Sequence, residues 1–356
     1  MDFSSFPKYF LAANSCEGFV SKFEDCYDIN DDFTAYIIKG GAGCGKSTLM
    51  KFAAAKCRDK GFLPELFLCS SDPDSLDGVF LKGNFVMLDG TLPHPVEPRL
   101  TGVSETLIDT GRFLNTQFLK RNADEIRNIN ARNKSEHKTA SRYIKAAGEM
   151  LKDSYLVQEK FLNRKKIETF ADSLCKNLNL KKLNKNSKIS CRFLSGITPK
   201  GVIFLSSTLD KVSDKQIIIN DKYGAAANEI LKIVLTNLIK KGYDATVIPS
   251  SLFPLSRIEH LIIPELRLAI CCENDYAHIK SETRRIHSRR FEETGFMAHR
   301  SRLNFNKKAA KELLTCAAST LLKAKISHDD LEKFYVAAMD FDEYNKYAAK
   351  IVGKLF

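Results

Sequence analysis

Gly40-Gly41-Ala42-Gly43-Cys44-Gly45-Lys46-Ser47 matches the pattern GxxxxGK[ST], in which each residue type has a task at a phosphate. The glycines let the backbone curl until its N–H groups point at a β- and a γ-phosphate, and a following helix adds the positive end of its dipole. Lys46 supplies a point charge to the β/γ oxygens, and the Ser47 hydroxyl is the expected Mg²⁺ ligand. Thr48 is placed to reach an α-phosphate or to cap the helix. A glycine-rich turn can match this pattern by accident, so the flanking residues decide. Residues 35–39 form a short apolar run leading into the glycines. Residues 46–60 carry Leu49, Met50, Ala53, Ala54 and Cys57 at helical spacing, with Gly61 placed to end the helix. Strand, loop and helix follow in the order the chemistry needs.

Asn84-Phe85-Val86-Met87-Leu88-Asp89 has the form of a Walker B strand, an apolar run that delivers a carboxylate to the carboxyl edge of a sheet. Asp89 would hold Mg²⁺ there through water. The competing reading is an aspartate that only opens the turn Asp89-Gly90. Between the two motifs, Ser70-Ser71-Asp72-Pro73-Asp74-Ser75-Leu76-Asp77-Gly78 brings three carboxylates and three hydroxyls to the same edge. In a hydrolase this loop, with Asp72, would orient water. In a phosphotransferase Asp72, Asp74 or Asp77 would handle the acceptor. A turn and helix cap built from Ser, Asp and Pro is the plain alternative. Thr91 is placed to sense a γ-phosphate and His94 to contact substrate, although a lone histidine after a proline is more often a surface residue.

These motifs need a sheet, and the chain writes one twice. Tyr9-Phe10-Leu11-Ala12-Ala13 with Gly18-Phe19-Val20 recurs as Arg192-Phe193-Leu194-Ser195-Gly196 with Gly201-Val202-Ile203, a shift of 183. Tyr36-Ile37-Ile38 recurs as Ile217-Ile218-Ile219 and Lys60-Gly61-Phe62 as Lys241-Gly242-Tyr243, a shift of 181. Collinear echoes over most of both halves argue for duplication. Each half reads as strand, helix, strand, strand and a helical tail, which implies a parallel sheet covered on both faces. The expected fold is α/β: two tandem P-loop NTPase-like parallel-sheet domains, residues 1–185 and 191–356, each with a helical C-terminal extension. The Lys/Asn/Ser-rich residues 181–190 join them.

The second half has lost the chemistry. Shifted by 181, Gly40, Gly45, Lys46 and Ser47 fall on Asp221, Ala226, Ala227 and Asn228, and with the shift of 182 that holds further along Asp89 falls on Cys271. No cation clamp or metal ligand is left, and Asp221 would repel phosphate, so this half reads as a scaffold. Its densest basic run, from Arg284 to Arg290, is either a solvated loop or the source of an arginine finger for the first site.

The chain has 356 residues, 44% of them hydrophobic, enough for two cores but with no run apolar enough to span a membrane. Its N-terminus lacks a secretory pattern, and its ten cysteines include no CxxC pair, so reduced thiols in a cytoplasmic protein are expected. The net charge of +12 is concentrated between Lys120 and Lys188, where 18 Lys/Arg face 8 Asp/Glu. Such a segment attracts nucleic acid, an acidic protein or a polyphosphate, or is simply a solvated helical surface. Aromatic residues are not interleaved with the charges as a base-stacking surface requires.

Residues 37–50, 69–78 and 89–94 resemble a family of tandem P-loop ATPase-like proteins of low-GC Gram-positive bacteria. The resemblance extends over nearly the whole chain, including Ile262-Ile263-Pro264-Glu265-Leu266. It implies the fold and ATP binding. In that family the second half often has a P-loop of its own, from which this sequence departs. Motifs and resemblance together lead to the expectation of a slow Mg²⁺-dependent ATPase with one site per chain. A small-molecule or nucleotide kinase, a nucleic-acid-stimulated ATPase and a switch that binds ATP without turnover remain alternatives. The phosphate acceptor or protein partner is not encoded in any motif. The lack of an NKxD-type guanine motif favours ATP.

Overall fold

A computed structural model describes residues 2–30, 33–281 and 283–356. The first half opens with β1 (Lys8–Tyr9) and a hairpin of β2 (Ala12–Ser15) and β3 (Gly18–Ser21). It continues with β4 (Thr34–Lys39), α1 (Lys46–Asp59), β5 (Glu65–Leu68), β6 (Leu76–Leu81), β7 (Phe85–Asp89) and β8 (Glu105–Asp109). Three helices follow: α2 (Thr116–Arg121), α3 (Ala123–Lys160) and α4 (Arg164–Asn177). The second half repeats the series with β9 (Ile189–Cys191) and the hairpin β10 (Ser195–Thr198) and β11 (Gly201–Phe204). Then come α5 (Ser207–Val212), β12 (Lys215–Asn220), α6 (Ala225–Lys241), β13 (Ala245–Pro249), β14 (Ile258–Ile263), β15 (Leu268–Glu273) and β16 (Arg285–His287). The chain closes with α7 (Arg300–Ala338) and α8 (Phe341–Gly353). No described helix is long and apolar enough to cross a membrane.

The two sheets have the same strand order, β1-β5-β6-β7-β4-β8 and β9-β13-β14-β15-β12-β16. Both are α/β sheets, but mixed rather than parallel as expected. β6 runs antiparallel to β5 and β7, and β14 to β13 and β15, while the remaining pairs are parallel. The cause is chain length: residues 69–75 and 82–84 are too few for the crossover that a parallel pair demands. Several strands escape the sequence reading, β6 and β8 among them. β6 hides inside the Ser/Asp-rich run 70–78, and β8 lies at the start of what reads as a charged helical tract.

Equivalent residues of the repeat meet across a pseudo-two-fold axis. Phe10 N donates to Phe193 O at 2.8 Å and Phe193 N to Phe10 O at 2.9 Å, residues related by the sequence shift of 183. Side chains alternate along the strands, as the pleat requires. Ala35 and Ile37 join Ile218, Ile262 and Cys271 in one core shared by both sheets. Ile38 instead faces α1, and Ile217 and Ile219 face α6. Each sheet is thus covered by helices on one face and by the other half on the second.

The helical extensions are exchanged. α3 and α7 lie antiparallel, joined by Ala140, Ile144 and Ala147 against Ala310, Leu314 and Ala317. Polar contacts support the register, with Asn133 Nδ2 on Ala324 O at 2.7 Å and Asn306 Nδ2 on Asp153 Oδ2 at 2.6 Å. Beyond them, Ile167 and Ala171 of α4 pack on α6 of the second half. Tyr344, Ala348 and Ile351 of α8 pack on α1 of the first.

Candidate functional site

The 40–47 loop joins the carboxyl end of β4 to the first turn of α1. α1 buries Leu49, Met50, Ala53, Ala54 and Cys57, the stripe its spacing predicts. The helix starts from Gly45, whose φ of +79° an L side chain rarely adopts. Space also excludes a side chain there, because an added Cβ would lie 2.6 Å from the Tyr344 ring. Tyr344 donates its hydroxyl to Gly45 O at 2.7 Å, so α8 clamps the loop from outside. A Cβ at Gly41 would meet Tyr335 of α7 at 2.6 Å, and Gly43 lies under Val336. Cys44 is buried in the α1 core, Gly40 and Ala42 are half-buried, and Thr48 is exposed and caps nothing.

Lys46 is mostly enclosed, not free in the loop. Its Nζ donates to Gly41 O at 2.7 Å and Gly40 O at 3.1 Å, and lies 3.7 Å from Asp89 Oδ2. β7 is the parallel neighbour of β4 and sets Asp89 beside Ile38, which is how the carboxylate comes to face the loop. Asp89 Oδ1 accepts from Thr91 N at 2.9 Å and Thr91 Oγ1 at 2.6 Å. Ser47 Oγ accepts from Leu76 N at 2.9 Å and so ties α1 to the start of β6.

The three aspartates of the 70–78 run separate. Asp74 is exposed and bound to Lys200 Nζ at 2.7 Å, a contact with the second half's hairpin. Asp72 Oδ2 accepts from Ser75 Oγ at 3.0 Å and lies 3.7 Å from Lys325 of α7, while its buried Oδ1 has no partner. Asp77 is buried in β6 with its Oδ2 3.5 Å from His94 Nε2. His94 is not the surface residue its context suggests. It is buried, stacked on Phe23 with centroids 4.1 Å apart, and its Nδ1 lies 3.1 Å from Asp89 O.

Burial pushes the Asp77 carboxyl up to about 6, against the opposing field of His94 and with that of Asp89. The unfolded chain releases this proton near the usual 3.8, so the folded state binds more protons in between. Asp77 therefore lowers stability as pH rises from 4 through 6. The expected result is that Asp77→Asn raises the thermal midpoint more at about pH 7.5 than at about pH 4. An equal shift at both pH values would mean that this carboxyl does not titrate in that window.

The corresponding loop of the second half is two residues shorter than the sequence alignment assumes. Only Asp221 to Gly224 separate β12 from α6, against Gly40 to Gly45 in the first half. Gly224, φ +83°, is the counterpart of Gly45. Ala225 and Ala226, rather than Ala227 and Asn228, therefore stand for Lys46 and Ser47. Strand register likewise places Cys272, rather than Cys271, opposite Ile219 as Asp89 is opposite Ile38. The loop is also filled. Asp221 Oδ2 accepts from Ala227 N at 2.9 Å and its Oδ1 from Gln158 Nε2 at 2.7 Å. Gln158 Oε1 accepts from Ala225 N at 3.0 Å. A carboxylate and an amide thus occupy the amides that a phosphate would need.

Within the chain, the basic run 284–290 reaches the second half and not the first loop. Arg285 pairs with Glu273 at 2.6 Å and Arg290 lies over Phe170, with Arg284 and Arg289 exposed. Among the described residues, the groups from outside the first half that touch its site include Tyr335, Val336, Tyr344, Lys325 and Lys200, which no motif announces. α7 and α8 look like any amphipathic tail until the exchange is seen. No family model, curated protein or solved structure matches the chain, so the site is read from its own geometry.

Proposed function

We propose that the chain binds ATP with Mg²⁺ at the 40–47 loop, as a P-loop NTPase with one site per chain, and hydrolyses it slowly. The observation that carries this reading is the approach of Lys46 to Asp89 between neighbouring parallel strands, with Ser47 on the next residue. In this reading Lys46 leaves the Gly40 and Gly41 carbonyls for the β/γ oxygens, and the loop amides hold the phosphates. Ser47 Oγ and the Asp89 carboxylate are hard oxygen donors of the kind Mg²⁺ selects. The metal would neutralise charge on the phosphates. Asp72, whose buried Oδ1 has no partner and which lies four residues before the Leu76 that donates to Ser47, is the group left to orient water.

A phosphotransferase is the second reading, favoured by that same oxygen: Asp72 keeps acceptor capacity, whereas Asp74 is paired and Asp77 is buried. A nucleic-acid-stimulated ATPase draws less support. In the basic segment Arg132 is engaged by Asp330 and Arg164 by Glu229, within the chain. The test of the main reading is calorimetric titration with a non-hydrolysable ATP analogue and Mg²⁺. One equivalent per chain is expected, because the second loop is filled by Asp221 and Gln158. Two equivalents would overturn the one-site reading, and no binding the nucleotide reading itself.

A further inference from the structure

The carboxyl edge of the second sheet carries an arginine that the fold leaves unused. Arg257 precedes β14, and its guanidinium lies 3.8 Å from the Tyr155 ring centroid and 3.5 Å from that of Phe253. Two rings at these distances cover the faces of the guanidinium and fix its plane, which leaves its N–H edge to find acceptors. Among the described residues that edge has neither a hydrogen bond nor an ion pair. The charges that act on it, those of Glu259 and Glu17, do so only at longer range. Burial depresses this arginine to about 10, against the opposing pull of its acidic neighbours.

Arg257 lines a cavity of about 60 Å³ with Glu259, Asn274, Ser250, Tyr223 and Lys307. That is room for about four waters, or one phosphate group. Of the other charged groups nearby, Lys222 is exposed and lies 5.5 Å from the Tyr223 ring centroid, and the rest are committed. Lys307 pairs with Asp275 at 2.8 Å, and Glu17 accepts from Leu255 N and Ser256 Oγ. Asp221 is tied to its own loop. Glu259, 3.4 Å from Asn274 Nδ2, is pushed up by burial, so it favours a neighbour that donates a hydrogen bond over a bare anion.

We infer that this cavity is a binding site for the free monohydrogen phosphate ion, anchored by Arg257. Monohydrogen phosphate offers both features the walls require. Two of its oxygens match the edge of a guanidinium, and its O–H can donate to Glu259. Tyr155, Leu151 and Ser154 come from α3 of the first half, so the ligand would bridge the two halves. The inference does not rest on the nucleotide reading of the first loop.

The experiment titrates inorganic phosphate into the full chain carrying Lys46→Ala, which takes the lysine out of the first loop. One saturable event per chain is expected. Arg257→Leu, which keeps an apolar stem between the rings, should weaken it about tenfold to hundredfold. Sulfate, with no O–H at neutral pH, should bind more weakly than phosphate. Methyl phosphate, whose dianion also lacks an O–H, should likewise bind more weakly than phosphate, and tighter binding of either overturns the proposal. No saturation up to about 10 mM phosphate, or affinity unchanged by Arg257→Leu, overturns the proposal. If the leucine variant fails to fold, Arg257→Lys decides. It keeps the charge without the fork, so a weaker complex supports the site and an unchanged one sinks it.

Discussion

Lys46→Ala is expected to weaken a non-hydrolysable ATP analogue about tenfold to hundredfold, the ~1.5–3 kcal/mol attached to a hydrogen bond with a charged partner. Turnover should fall further, because Lys46 is also positioned to follow charge that develops on the β/γ oxygens. The side chain is mostly enclosed. It holds the Gly40 and Gly41 carbonyls and lies against Asp89, with only 13% of the side chain exposed. Some stability should therefore be lost with it, and Asp89 left without its cation. Lys46→Arg separates the effects, since it keeps the charge but cannot place it within the same curl of backbone. Calorimetry with the analogue, beside a urea unfolding curve, gives both quantities. Parent-like affinity in a folded Lys46→Ala chain would remove the nucleotide reading.

The arrangement of the candidate site was legible where local pattern and chemistry coincide. The 40–47 motif, the α1 stripe and the β7 carboxylate each depend on residues close in the chain, and the structure brings Lys46, Ser47 and Asp89 to one sheet edge. The duplication was equally legible, down to the 183-residue shift that pairs Phe10 with Phe193. Three things were not. β6 carries Asp77 and Gly78 inside a strand, residues that mark turns when read locally, and only burial between β5 and β7 makes a strand of them. The two-residue contraction of the second loop needs the helix start to be seen, because Asp221 and the alanines align acceptably either way. Helix exchange has no sequence signal at all. An apolar stripe on α8 states that something covers it, and periodicity does not say which half.

That exchange governs the largest effect expected on folding. A chain ending at residue 189 retains every motif of the first site, yet it should aggregate and bind no nucleotide. It loses α8 and the residues after it, which supply Tyr344, Ala348, Ile351 and Leu355 to the core over α1, and it loses the second sheet, against which Ile37, Val86 and Leu88 are buried. Its own α4 would present Ile167 and Ala171 to solvent, since their cover is α6. The face of the first sheet that met the second half is then open and the core over α1 has lost its cover, and long apolar faces with free strand edges associate. The milder form of the test is Tyr344→Ala in the full chain. Truncating a fully buried aromatic costs ~3–5 kcal/mol, and here the hydrogen bond to Gly45 O is lost with it. Against a usual domain stability of ~5–15 kcal/mol this is a large fraction, so a clear drop in the urea midpoint is expected. Because Tyr344 also clamps the loop, analogue affinity should fall in conditions where the variant is still folded. A soluble, monomeric chain of residues 1–189 that unfolds cooperatively and binds the analogue like the parent would show that the first half needs neither partner, and that the exchanged helices are ornament to a self-sufficient domain.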